Sequence, residues 1–255
     1  MFCFLLVCNG FGSFAQTTYD HGMFWGRVTL GDRITEKLKW EVYLQRRYQN
    51  DPAEKKNIFA YHQTTNYWLW LHYQMTKELK ISVTPFCYFK TVALYPQPAS
   101  VGDRAVNEFR WSVQAEHSLK GKHLIFANRY AMEYRLRDLA KENVYTNNYR
   151  VRYRVRLEYP LKKMGNAMSL ILFDEVFFEF GEAVKQSPVV FSQNRLYAGV
   201  SYEIIRNVKF SVAYMNVYLA RSSGDEFDNA NVLWAILAFD NVFSQFKRKE
   251  NETDK

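Results

Sequence analysis

Hydrophobic and polar residues alternate strictly along several stretches of this chain, and the clearest stretch runs from Asn147 to Tyr159. Its odd-numbered positions are mostly tyrosine, valine and leucine, whereas its even-numbered positions include four arginines and a glutamate. A period of two sends successive side chains to opposite faces of a β-strand. Residues 37–48, 79–90 and 106–117 alternate in the same way, and in 79–90 the pattern assigns Cys87 and Phe89 to the apolar face.

The whole chain contains eleven such segments, and most have nine to fourteen residues, the length that tilted membrane-spanning strands require. Short turns alternate with longer polar loops between the segments, an arrangement typical of outer-membrane barrels. The predicted strands are 21–30, 37–48, 65–75, 79–90, 106–117, 122–135, 147–159, 167–180, 192–204, 207–219 and 230–240. The predicted short turns are 76–78, 118–121, 162–165 and 205–207.

The eleven segments conflict with the usual strand count, because single-chain bacterial barrels usually have an even number of strands. If the weak first segment lies off the barrel, ten strands remain. If residues 57–75 divide into two strands, the barrel has twelve. We therefore predict an all-β, transmembrane, antiparallel up-and-down β-barrel of 10–12 strands, with twelve preferred.

Both ends of the chain differ from the alternating region between them. Residues 1–15 carry no charge, contain a short apolar run and end in a small-x-small site at Ala15, which indicates a signal peptide. We expect the barrel to occupy residues 16–243 and a polar tail to occupy residues 244–255. The aromatic-rich segment 231–243 is similar to the C-terminal strand signal read by the barrel-assembly machinery, which is therefore an expected partner.

Composition supports a membrane barrel over a soluble one. The chain is 17% aromatic, yet its mean hydropathy is −0.36, as expected if half of every strand is polar. Aromatic residues near the predicted strand ends, among them Trp25, Tyr48 and Tyr159, suit the interfacial girdles of a barrel in contact with outer-membrane lipids. A soluble ligand-binding barrel of lipocalin type has the same alternation and remains the alternative fold.

Several classes of site have little support in the sequence. Cleavage after Ala15 would leave Cys87 as the one cysteine, and the five histidines show no metal-ligand spacing, so we expect no metal and no cofactor. Nucleic-acid binding is not expected, because arginine and tyrosine fall on opposite faces of 147–159. An outer-membrane lipid-modifying enzyme is the alternative function. However, His117, Ser118 and His123 fall at a short turn, and neither His62 nor His72 has an evident serine partner.

A set of short motifs resembles the DUF2490 family, a domain of unknown function found in predicted outer-membrane barrels of Gram-negative bacteria. The resemblance covers nearly all of the chain after residue 15. It implies an outer-membrane location in a Gram-negative bacterium, and it implies no activity and no catalytic residue. The motifs are Trp40-Glu41 with Arg46-Arg47, Asn128-Arg129-Tyr130 with Glu133-Tyr134-Arg135, the run from Arg150 to Leu157, Asp174-Glu175-Val176-Phe177, and Asn194 to Gly199.

If the apolar faces meet lipid, the charged faces line the lumen. An arginine or lysine facing the bilayer midplane would cost about 2–4 kcal/mol, so this orientation is strongly set. Two hypotheses follow: a narrow path for small anionic solutes, or arginine and glutamate that neutralise each other and fill the barrel. Arg150 to Arg156 is the preferred functional segment, because its four arginines exceed the glutamates of one neighbouring strand. The predicted inward residues are Glu108, Arg110, Glu116, Arg129, Glu133, Arg135, Arg150, Arg152, Arg154, Arg156, Glu158, Glu175, Glu179 and Arg195.

Overall fold

A computed structural model describes residues 17–161 and 168–245, and within these ranges eleven β-strands form one closed barrel. In the same ranges, two short 3-10 helices, Pro98–Ser100 and Glu182–Val184, lie in the connections. No helix among the described residues is long and apolar enough to cross a bilayer. The strands are β1 Thr17–Arg33, β2 Leu38–Gln49, β3 Tyr61–Gln74, β4 Leu79–Thr91, β5 Val106–Lys120, β6 Ile125–Arg137, β7 Thr146–Pro160, β8 Met168–Phe180, β9 Phe191–Ile205, β10 Val208–Ala220 and β11 Glu226–Asp240.

The described residues form eleven strands where the sequence favours twelve, and this odd number determines how the barrel closes. Each strand is antiparallel to its neighbours in the chain, so β1 and β11 run in the same direction and pair in parallel, from Thr17↔Glu226 to Gly31↔Asp240. The first segment lies in the barrel, and residues 57–75 contain one strand, β3, preceded by a loop. The parallel seam leaves no strand edge open, as a spanning sheet requires.

The two rims of the barrel carry different connections. The short-turn rim holds the turns after β1, β3, β5 and β9, and the long-loop rim holds 50–60, 92–105, 138–145, 181–190 and 221–225. The predicted turn at 162–165 lies outside the described residues, as do the predicted signal peptide and most of the predicted tail. β1 begins at the long-loop rim, and β11 ends at the short-turn rim.

The predicted alternation holds along most strands. Leu44, Val113, Tyr130, Leu172 and Leu196 are exposed on the outer surface, whereas the residues between them face the lumen. Such a continuous apolar outer surface suits lipid contact.

Three residues lie on the face opposite to the one predicted. The pairing of β4 with β5 is interrupted between Thr84 and Tyr88, and this irregularity turns Cys87 and Phe89 into the lumen. Trp25, predicted in an outer girdle, is buried inside the barrel at 3% exposure.

Two apolar clusters occupy the lumen walls away from the charged strands. One lies on β1, β9, β10 and β11, and its largest members include Trp25, Trp234, Tyr197 and Met215. The other consists of Trp68, Trp70, Cys87 and Phe89 on β3 and β4, with the two indole rings stacked at 5.0 Å. The lumen is therefore divided into aromatic walls and one charged wall.

A segment of the loop after β4, residues 92–97, folds into the lumen at the long-loop rim, and we call it the mouth segment. The Gln49 side chain donates to Ala93 O at 3.1 Å and accepts from Tyr95 N at 3.0 Å. Leu94 packs on the cluster of Trp25, and its carbonyl oxygen accepts from Arg221 Nη2 at 3.1 Å. The mouth segment thus runs from β4 past β2 to the connection between β10 and β11, and it covers part of the entrance.

We predict that Gln49→Leu loosens the mouth segment without unfolding the barrel. Each of its two hydrogen bonds contributes about 1 kcal/mol, so amide exchange in residues 92–97 should rise about tenfold or more. Hydrogen–deuterium exchange with mass spectrometry in detergent micelles measures this rise. The matched control is Gln74→Leu, which removes two side-chain bonds at the short-turn rim and should leave 92–97 unchanged. Equal exchange in Gln49→Leu and wild type would contradict the role of Gln49.

Candidate functional site: the charged lumen

The charged wall is built by β5, β6, β7 and β8, whose inward positions carry most of the arginines and glutamates of the lumen. Glu133 on β6 is its centre and has 0% exposure. Arg150 Nε donates to Glu133 Oε2 at 2.7 Å, and Arg152 Nη1 donates to Glu133 Oε1 at 2.6 Å. A carboxylate that is removed from water in this way requires such partners, because an unpaired buried charge is very costly.

A second buried carboxylate, Glu108 on β5, lies nearer the long-loop rim. Arg135 binds it in a bidentate manner, with Nε–Oε1 at 2.8 Å and Nη2–Oε2 at 2.7 Å. Arg110 Nε also donates to Glu108, at 2.8 Å, and Arg135 reaches Glu179 on β8. The planar guanidinium suits this double contact, which fixes both strands in register.

Towards the short-turn rim, the charged wall continues with further arginine–glutamate pairs. Glu175 on β8 accepts from Arg129 and from Arg152 Nε. Arg154 Nη2 donates to Glu116 at 3.0 Å, and Arg156 Nη1 donates to Glu158 at 2.9 Å.

Together these residues form what we call the ion-pair ladder, in which eight arginines share six glutamates within the described part of the chain. The four arginines of β7 have partners on β5, β6, β7 and β8, so they are not the unbalanced set that the sequence suggested. The ladder consists of Arg110, Arg129, Arg135, Arg137, Arg150, Arg152, Arg154 and Arg156 with Glu108, Glu116, Glu133, Glu158, Glu175 and Glu179.

Around Glu133 and Glu175, the arginines of the ladder are more exposed to the space inside the barrel than the carboxylates they bind. The Arg152 side chain is 12% exposed where it meets Glu133 at 0%, and Arg129 is 14% exposed where it meets Glu175 at 3%. Arg137 is 24% exposed beside Glu108 at 8%. Glu179 is the opposite case, because its side chain is 11% exposed where it meets Arg135 and Arg150 at 7%. A solute beside Glu133 or Glu175 therefore meets guanidinium groups in front of covered carboxylates.

Three further arginines face the lumen outside the ladder. One is Arg195 on β9, which the sequence included among the inward residues. The others are Arg27 on β1, which the sequence did not single out, and Arg47 on β2, which the sequence named in a family motif but not among the inward residues. The alternation in 37–48 alone places Arg47 on the polar face of its strand. No carboxylate among the described residues lies within 4.0 Å of any of the three.

The structure gives His72 the serine partner that the sequence did not reveal. His72 Nδ1 lies 2.7 Å from Ser82 Oγ, and its Nε2 lies 4.0 Å from Glu41 Oε2. Ser82 is 1% exposed, and the pair lies towards the short-turn rim. A covered hydroxyl with a distant carboxylate lacks the geometry of an activated nucleophile.

Asp174, which breaks the apolar face of β8, has a protein contact that accounts for it. Asn194 Nδ2 on β9 donates to Asp174 Oδ1 at 2.6 Å on the outer surface. The hydrogen bond provides one partner for a carboxylate on an otherwise apolar face.

The closed up-and-down barrel, apolar outside and arginine-lined inside, defines a β-barrel of outer-membrane type. A family model described as "Protein of unknown function (DUF2490)" matches residues 22–228. The chain belongs to this family, as its motifs indicate. No curated protein matches the chain.

Solved structures of outer-membrane proteins are similar to this chain at low identity. The siderophore receptor PirA from Pseudomonas aeruginosa is 12% identical with a TM-score of 0.32, and the match covers 74% of this chain and 34% of that one. OmpT, an outer membrane protein of Vibrio cholerae, is 10% identical with a TM-score of 0.36, covering 76% and 59%. The anion-selective porin from Comamonas acidovorans is 10% identical with a TM-score of 0.34, covering 76% and 54%. The chain thus spans less than two thirds of each.

We predict that Glu133→Gln strongly destabilises the barrel. Removing the shared carboxylate leaves Arg150 and Arg152 undercompensated in a covered position, which should cost about 3–5 kcal/mol. Urea unfolding of the protein refolded into lipid vesicles, followed by tryptophan fluorescence, measures the change. The matched control is Glu182→Gln at the exposed pair with Lys185, for which no measurable loss is expected. If both variants unfold at the same urea concentration, the ladder does not stabilise the fold as proposed.

Proposed function

We propose that this protein resides in the outer membrane of a Gram-negative bacterium and provides a narrow passage for small anionic solutes. The observation that carries the proposal is the layering around Glu133 and Glu175, where the guanidinium groups are more exposed to the lumen than the carboxylates they bind. Fixed positive charge along a narrow lumen favours anions over cations. The outward apolar surface supports contact with outer-membrane lipids.

A structural barrel without passage is the second candidate, and a specific observation favours it. Phe177, Glu133, Met215 and Val232 all face the lumen with 0% exposure, so the interior is tightly packed along several strands. The mouth segment also covers part of the entrance. The two functions differ in whether ions cross the barrel, which is directly measurable.

We predict discrete currents in planar lipid bilayers, with a reversal potential in a potassium chloride gradient that shows preference for chloride. Arg137→Gln should roughly halve the chloride-to-potassium permeability ratio, because it removes an exposed charge with only a loose contact, 3.8 Å, to Glu108. Arg46→Gln, on the outer face of β2, is the matched control and should leave the ratio unchanged.

The bilayer experiment distinguishes the candidates clearly. A preference for potassium would refute the anion passage. Absence of currents from correctly folded protein would also refute it and would favour the structural barrel. Equal ratios in wild type and Arg137→Gln would show that the ladder does not set selectivity.

We further predict that the long-loop rim faces the cell exterior, as in bacterial barrels with short periplasmic turns. Glu142→Cys, in the loop 138–145, should react with a large polyethylene-glycol maleimide on intact cells. Lys77→Cys, in the turn after β3, should react only after the outer membrane is opened. Native Cys87 is 1% exposed and should stay unlabelled in both. Labelling of Lys77→Cys alone on intact cells would mean the opposite orientation.

A further inference from the structure

We propose that Arg27, Arg47 and Arg195 form a binding site for a multivalent oxyanion, such as a phosphate group, beside Trp25 in the lumen. The proposal goes beyond anion passage, because a barrel that conducts no ions could hold the same ligand. It depends on the arginines that the ladder leaves without carboxylates.

The three guanidinium groups are held in place by aromatic rings. Arg47 pairs with Trp25 across β1 and β2, and its Cζ lies 3.7 Å from the Trp25 ring centroid. The Cζ of Arg195 lies 5.3 Å from the same centroid, although β9 and β1 are separated by two strands. Arg27 lies over Trp234 at 4.8 Å, and Trp234 packs edge-on against Trp25 at 5.5 Å.

Stacking occupies the faces of these guanidinium groups and leaves their N–H edges for other partners. The described residues supply few hydrogen-bond acceptors to these N–H edges. Arg27 Nη2 donates to Gln45 Oε1 at 3.0 Å. The side-chain oxygen of Gln193, in the amide orientation that satisfies both groups, accepts from Arg195 Nη2 at 3.1 Å and from Arg195 Nε at 2.5 Å. The Nε atoms of Arg27 and Arg47 are buried without a hydrogen-bond partner in the described structure. An anion would supply the missing charge and acceptors together.

The position of Glu175 shows why Arg195 in particular has no carboxylate partner. Glu175 lies directly opposite Arg195 in the register of β8 and β9, where a cross-strand ion pair would be expected. However, Arg129 and Arg152 already bind this carboxylate from the other side. Arg195 instead turns towards Phe177 and Trp25, at 4.6 Å and 5.3 Å. Because Glu175 is already bound, the Arg195 guanidinium lies outside the ladder and packs against the aromatic wall.

The chemistry of the cluster favours an oxyanion with more than one negative charge. Arginine forks match phosphate and carboxylate oxygens, and three such donors beside the Trp25–Trp234 pair favour a multivalent group over chloride. The same chemistry would recognise free phosphate or the phosphate of a small phosphorylated solute.

The proposal is tested on the full-length protein in detergent micelles, titrated with inorganic phosphate, glycerol phosphate or, at equal ionic strength, sodium chloride. Because Trp25 and Trp234 touch the arginines, binding should change tryptophan fluorescence, and isothermal titration calorimetry gives an independent affinity. We expect saturable binding of phosphate, and a stronger response to glycerol phosphate would identify a phosphorylated solute as the preferred source.

Arg47→Gln and Arg195→Gln should each weaken phosphate binding at least tenfold, because each removes charge-assisted hydrogen bonds. Arg46→Gln is the matched control: it changes the adjacent residue, which faces outward, and should leave affinity unchanged. Should a lumen variant fail to fold, wild-type protein still tests the site, since phosphate should raise its unfolding temperature relative to chloride.

Wild-type protein that responds to neither phosphate nor glycerol phosphate would overturn the site, and so would equal losses in Arg46→Gln and Arg47→Gln. Phosphate binding without bilayer currents would support this site and refute the passage. Anion-selective currents without phosphate binding would support the passage and refute this site.

Discussion

Charge compensation inside a closed wall is the constraint on which this structure depends. Alternation sends every second side chain of a strand into the lumen, where a charge has fewer water contacts than at an open surface. The barrel meets this constraint by pairing Glu133, Glu108 and Glu175 with arginines of neighbouring strands. Because each carboxylate is shared by two or more guanidinium groups, the wall keeps a positive surface while its buried charges remain paired.

The division of the lumen into charged and aromatic walls follows from the same constraint. Where no carboxylate lies within reach, inward arginines stack on Trp25, Tyr43 or Trp234 instead of forming ion pairs. A ring face provides weaker compensation than a carboxylate, so these arginines retain free hydrogen-bonding capacity. The arginines with unused hydrogen-bond donors therefore lie on β1, β2 and β9.

Much of this architecture was predictable because it depends on local periodicity. The alternation of Arg150 to Glu158 fixes an inward and an outward face without knowledge of any partner strand. The identity of the ion pairs was not predictable, because contacts such as Arg154 with Glu116 join strands that are not adjacent. The positions of Cys87 and Phe89 depend on one irregularity in β4, and a single inserted residue reverses every face beyond it. The strand number depends on the seam between the two ends of the sheet, which no local pattern encodes.

The parallel seam has a consequence for how the molecule could be re-engineered. In a barrel that closes between antiparallel strands, the first strand begins and the last strand ends at the same rim, so a short linker would join these two ends. Here Thr17 and Asp240 lie at opposite rims, separated by the full height of the wall. A circular permutant would need a linker that crosses the lumen or the lipid. Conversely, reporter domains fused before Thr17 and after Gln245 would face different compartments, so one chain could present cargo on both sides of its membrane.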